Sequence, residues 1–131
     1  MVQPSYPEDL LYHPEHDWAR IDPAAPDEAT FGITWFAQDS LGEVVFFEPP
    51  KVGTKVSKDS PYTEIESVKA VSDVIGPLSG EIIAVNETLG DAPETINEDP
   101  YGEGWLVRVK LSDSTEQEAL LDSAAYEAIL T

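Results

Sequence analysis

The sequence predicts a mainly β, α+β fold in a single domain, and three observations carry that prediction. Eleven prolines and eight glycines are scattered along 131 residues, so they punctuate many short segments. The segments between them are rich in valine, isoleucine and aromatic residues, as strands are. Only the C-terminal tail switches to helical spacing. At this length folding buries roughly two-thirds of the unfolded chain's surface, enough for one core. Residues 1–131 are therefore read as one domain.

Trp18 to Ile21 reads as the first strand, Asp22 to Asp27 as a proline-bounded surface loop, and Ala29 to Thr34 as the second strand. A short helix from Trp35 should stop at Gly42, because glycine tolerates the left-handed helix end. Val44 to Phe47 reads as a buried strand ended by Pro49 and Pro50, which cannot donate ladder hydrogen bonds. Val52 to Val56, Tyr62 to Val68, Val71 to Ile75 and Glu81 to Asn86 follow as further strands. Trp105 to Leu111 alternates with period two, placing Trp105, Val107, Val109 and Leu111 on one face. Ser114 with Gln117 has capping-box spacing. Leu120, Leu121, Ala124, Ala125, Ile129 and Leu130 then recur at helical intervals, with Ser123 starting a second short helix.

Seven cations against 26 acids give a net charge of −19. Such a surface repels nucleic acid and anionic lipid and suits partners with basic docking faces. No apolar run approaches the roughly 18 residues of a membrane span. The first twenty residues are acidic, unlike a secretory signal or a transit peptide, which points to the cytoplasm. With no cysteine there is no disulfide framework and no thiolate ligand or nucleophile. In His13-Pro14-Glu15-His16 the proline blocks a helical ligand pair, so the histidines read as structural.

One lysine is unusual. Between Lys58 and Arg108 the only cation is Lys69, against eleven acids. It lies midway between two strand-like runs, so a hairpin would put its ammonium at the tip, with Val68 and Lys69 as the turn. A two-residue hairpin normally wants Asn-Gly or Asp-Gly, because both positions need positive φ. A valine there breaks a local rule, and such rules tend to break at functional sites. On composition alone, a lysine among carboxylates is still an ordinary solvated charge.

The neighbouring residues overturn that. Glu66-Ser67-Val68-Lys69-Ala70-Val71-Ser72-Asp73 resembles the lipoylation motif of the H protein of the glycine cleavage system. His16-Asp17-Trp18, Gly32-Ile33-Thr34, Leu41 to Phe46 and Pro77 to Glu81 are similar to further blocks of that family, and Ile96 to Trp105 is its most specific signature. The resemblance covers nearly the whole chain. Departures are few: Asp17 where glutamate is more usual, Lys58-Asp59-Ser60-Pro61 in place of a Lys-Gly turn, and Phe47 with Pro49-Pro50. Aspartate tolerates the left-handed conformation such a turn needs.

The resemblance implies a lipoyl-type barrel-sandwich hybrid with short C-terminal helices. It implies lipoic acid joined covalently to Lys69, with Glu66 as the carboxylate recognised by lipoylating enzymes. It implies a non-catalytic carrier in glycine catabolism and one-carbon metabolism. The arm would take an aminomethyl group from glycine decarboxylase (P protein) to aminomethyltransferase (T protein). It would then present the dithiol to dihydrolipoamide dehydrogenase (L protein). Asp17 and Asp73 are implied to form a resting cleft for the loaded arm, whose amine is cationic, while Glu15 reads as solvated surface charge. Such carriers are expected to be monomeric.

A biotinyl domain is disfavoured because its lysine would sit between methionines, and here the neighbours are Val68 and Ala70. A 2-oxoacid dehydrogenase lipoyl domain usually has aspartate before the lysine. An unmodified interaction module, or an H-like protein that relays lipoyl groups to other complexes, remains as an alternative.

Overall fold

The computed structural model describes residues 5–130. Among the described residues nine strands form two antiparallel sheets. They are β1 (Leu11–His13), β2 (Asp17–Asp22), β3 (Ala25–Ile33), β4 (Val44–Phe47), β5 (Lys55–Val56), β6 (Pro61–Ser67), β7 (Val71–Ile75), β8 (Gly80–Val85) and β9 (Val107–Leu111). The larger sheet has the order β1-β2-β3-β9-β8-β5, and the smaller one β4-β6-β7. Phe31, Ile33, Ile82, Val107 and Val109 of the first sheet share one core with Val44, Phe47, Ile65 and Val74 of the second. Two sheets closed over a common core are the sandwich that the family resemblance implies.

The helices are short: α1 (Trp35–Leu41), α2 (Thr88–Asp91), α3 (Thr95–Glu98), a 3₁₀ segment over Ser114–Ala119, and α4 (Ser123–Ile129). The Thr34 side chain caps α1 by accepting from the Ala37 N–H, and Gly42 ends it at φ 81°. In the tail α4 starts at Ser123, as expected, while the segment before it is capped one residue ahead of Ser114. Asp113 accepts from the Thr115 N–H and Asp122 from the Ala125 N–H, each satisfying a first-turn donor that has no partner within the helix. Ser123 is buried. α4 lays Tyr126 into a second cluster with Leu10, Tyr12 and Trp18. No described helix is long and apolar enough to cross a membrane.

Two expectations change, and three elements are additions. The loop expected from Asp22 to Asp27 shrinks to a turn at Pro23-Ala24, since β3 already begins at Ala25. Val44 to Phe47 is a strand but not a buried one, as Val45 and Phe46 are exposed. The register explains this: Val44 pairs with Ser67 and Phe46 with Glu66, so Val45 is an extra residue in a β-bulge. Lastly, β1 and the two short helices α2 and α3 had no strong local signal.

Candidate functional site: the lysine hairpin and its cleft

β6 and β7 form the hairpin around Lys69, with Glu66 opposite Val71. Neither Val68 nor Lys69 takes positive φ; among the described non-glycine residues only His16 and Asp59 do. The strain expected of a valine at the tip is absent because Ser67 supplies the turn chemistry. Its hydroxyl accepts from the Lys69 and Ala70 N–H groups at 3.3 and 3.1 Å, while the Ser67 N–H donates to the Ala70 carbonyl at 2.8 Å. The Val68 N–H donates to the Glu43 carbonyl at 3.0 Å, which ties the tip to the segment after α1. Lys69 is exposed and has no ion-pair partner among the described residues. Its stem lies over Gly42, where an added Cβ would meet Lys69 Cε at 3.5 Å.

Beside β7 lies a cleft of about 120 Å³, walled by Glu15, His16, Asp17, Ile33, Ser72 and Asp73 among others. Asp17 and Asp73, distant in sequence, therefore face one cavity. Glu15, read from the sequence as plain surface charge, lines it as well. Asp73 is four residues beyond Lys69, within about 13 Å along an extended strand.

The two acids differ electrostatically. Asp73 is exposed. Asp17 is buried, and burial pushes its carboxyl well above the usual carboxylate range, with the Ile75 N–H pulling it back and nearby Glu15 pushing it further up. Its Oδ2 has no hydrogen-bond partner. A buried carboxylate without a counter-charge is costly, which favours the protonated form of Asp17.

The histidines are structural, and each has its own partners. The His13 Nδ1 accepts from the Glu15 N–H at 3.0 Å, which leaves Nε2–H to donate to Asp59 Oδ1 at 2.6 Å. Asp59 adopts φ 69°, as the sequence anticipated for that turn. His16 Nδ1 pairs with the Tyr126 hydroxyl at 2.8 Å, and that hydroxyl also pairs with Thr34 Oγ1 at 2.8 Å. Burial lowers the His16 pKa against an opposing effect from Glu15, so the ring at the cleft wall is neutral.

Asn97 belongs to the signature block but had no role assigned from sequence. Its Oδ1 accepts from the Val44 N–H at 2.8 Å, and its Nδ2 donates to Gln38 Oε1 and to the Gly42 carbonyl at 3.0 and 2.8 Å. It clamps the α1–β4 connection on which Lys69 rests. The remainder of that block holds Trp18, whose Nε1–H donates to the Pro100 carbonyl at 3.0 Å.

The sequence profile of the glycine cleavage H-protein family matches residues 10–131. The chain belongs to that family. It is a non-catalytic component of the glycine cleavage system, whose H proteins carry a lipoyl group. The chain is 48% identical over 124 residues to the glycine cleavage system H protein of Halorhodospira halophila, covering 95% of this chain and 94% of that one. It is 52% identical over 124 residues to that of an Anaeromyxobacter species, with the same coverage. A crystal structure of a glycine cleavage system H protein from Mycobacterium marinum superposes with a TM-score of 0.83 at 40% identity, covering 95% of this chain and 98% of that one.

Proposed function

We propose that this chain, as a single lipoyl-carrier domain, bears lipoic acid as an amide on Lys69 and parks the loaded arm against Asp17 and Asp73. The observation that carries this is the placement of an exposed amine, without an ion-pair partner among the described residues, at a braced hairpin tip beside an acidic cleft. The residues fit the group. Lys69 offers a free amine on a flexible stem, and acylation removes its charge. The cleft offers one buried carboxyl with an unpartnered oxygen, Asp17, and two exposed carboxylates, Glu15 and Asp73. When bound, the group supplies a disulfide that accepts an aminomethyl unit and is returned as a dithiol.

The chain's own residues do the rest. Ser67 and Asn97 fix the tip. Ile33 and Val74 give the cleft apolar walls that exclude water, and Asp17 with Asp73 holds a cationic amine. Tethering makes each partner's encounter with the arm effectively intramolecular once it docks. The partners this reading names are glycine decarboxylase, aminomethyltransferase, dihydrolipoamide dehydrogenase and the lipoylating enzymes, the last recognising Glu66. A monomer acting in the cytoplasm fits the acidic, cysteine-free composition.

The test is Lys69→Arg. It keeps the charge, but a guanidinium is a poor acyl acceptor, so intact mass should show no lipoyl group and glycine cleavage should fall to background. A lipoyl mass on that variant would overturn the assignment.

A further inference from the structure

Seven large hydrophobic side chains are conspicuously exposed among the described residues, and four of them flank Lys69: Val45 at 43%, Phe46 at 49%, Val68 at 66% and Val71 at 58%. Clustered exposed apolar side chains mark interaction sites, whereas scattered ones mean little. The register orders these. Phe46 pairs with Glu66 and Glu66 with Val71, so Phe46–Glu66–Val71 form one row across the outer face of the β4-β6-β7 sheet. Side chains directly opposite stand about 5 Å apart, so the Glu66 carboxylate emerges between two apolar groups. The bulge at Val45 adds a further valine to the exposed surface where regular alternation would turn one of the two residues inward.

Next to this row lies an acidic one. Glu64 is directly opposite Asp73, and the Glu48 N–H bonds to the Glu64 carbonyl at 3.3 Å. None of these three carboxylates has an ion-pair partner among the described residues. Like charges facing across a ladder destabilise a sheet, so this face is not arranged for stability.

We propose that this outer face is the docking surface for the enzyme that acylates Lys69, with Phe46 and Val71 as its apolar anchors on either side of Glu66. The inference rests on the reading of Lys69 as the acyl acceptor. The complementary surface is an apolar hollow for Phe46 and Val71, rimmed by lysine or arginine facing Glu48, Glu64 and Asp73. Reach selects this partner over the others. A partner that uses the finished arm can dock at the arm's length, whereas the acylating enzyme must bring the lysine nitrogen itself to its acyl donor and so must cover the sheet beside the tip. There the Lys69 ammonium gives up a proton, and its Nζ attacks the carbonyl carbon of an activated lipoyl group such as the mixed anhydride of an acyl-adenylate. The C–N bond forms, the C–O bond to AMP breaks, and AMP leaves with the electron pair. The nitrogen sheds its second proton to solvent as the amide forms.

The experiment acylates the purified unmodified chain with a lipoate–protein ligase, lipoate and ATP, following intact mass at several protein concentrations. Phe46→Ser and Val71→Ser should each raise KM about tenfold with kcat little changed, and Phe46→Leu should restore most of the loss. Val52→Ser removes an equally exposed valine, at 62%, from a turn away from this sheet and should stay within about twofold of wild type. Circular dichroism and Tm confirm that each variant is folded. Pre-lipoylated Phe46→Ser should be loaded by glycine decarboxylase within about twofold of wild type. Phe46→Ser and Val71→Ser behaving like Val52→Ser would overturn the docking surface. An equal loss with the decarboxylase would overturn its assignment to the acylating enzyme. Failure of the wild-type chain to accept any lipoyl group would instead overturn the underlying reading of Lys69.

Discussion

Asn97 donates from Nδ2 to the Gly42 carbonyl at 2.8 Å, and Gly42 is the residue over which the Lys69 stem lies. The same side chain accepts from the Val44 N–H at 2.8 Å. A single amide thus joins the helix end, the start of β4 and the floor under Lys69. The Glu43 carbonyl, between those two anchors, receives the Val68 N–H and so transmits the clamp to the hairpin tip.

Asn97→Ala should therefore cost about 1–3 kcal/mol, because it strands a backbone donor and an acceptor together. The loss should be local. Hydrogen exchange at Val44 and Val68 should rise well beyond the global change, and unchanged protection at both would show that the clamp does not hold the tip.

The buried acid makes a signed prediction. Folding raises the pKa of Asp17 above its unfolded value, so between the two values the folded state binds the extra proton. Its contribution to stability is greatest below the ordinary aspartate pKa and declines as pH rises through the folded value. Asp17→Asn should then be more stable than wild type at pH 7, by about 1–3 kcal/mol, with the gain shrinking towards pH 4. Urea titrations of both proteins at several pH values would show it, and a pH-independent difference would contradict it.

Tyr126 joins α4 to the cleft wall through His16 and Thr34, and stacks on Tyr12 with ring centroids 4.8 Å apart. Tyr126→Phe keeps the stack and removes the hydroxyl. A loss of about 1–3 kcal/mol is expected from the two stranded partners. Chemical denaturation measures it, and a neutral result would mean that both partners find other hydrogen bonds.

Asp73→Asn tests the exposed half of the cleft with shape preserved. Once lipoylated, the variant should keep the disulfide–dithiol cycle, while the amine-bearing arm should release formaldehyde and ammonia faster than wild type when aminomethyltransferase is absent. A charge-assisted hydrogen bond contributes roughly 1.5–3 kcal/mol when buried and less when wet, so a several-fold effect is expected. Equal release for Asp73→Asn and wild type would place the protection elsewhere.

What the sequence determined by itself is the part that depends on neighbours along the chain. The motif around Lys69 is contiguous, the stop at Gly42 needs only a residue tolerant of positive φ, and Asp59 suits its left-handed turn for the same reason. The period-two run ending at Leu111 announces a half-buried strand without help from its partners. Even so, local chemistry misled where two local solutions compete. Val68 looked strained at the tip until the Ser67 hydroxyl proved to satisfy the turn.

Tertiary structure decided whatever depends on register and approach. Val44 to Phe47 reads as a buried run, and only pairing with β6, one residue out of step, exposes Val45 and Phe46. Asp17 and Asp73 are ordinary acids in the sequence and share a cleft because β2 and β7, in different sheets, close over the same core. Nor does anything local mark Asn97 as the clamp beneath Lys69. Propensity and spacing act over a few residues, whereas a cleft or a clamp is made by strands that meet only after the chain has folded back on itself.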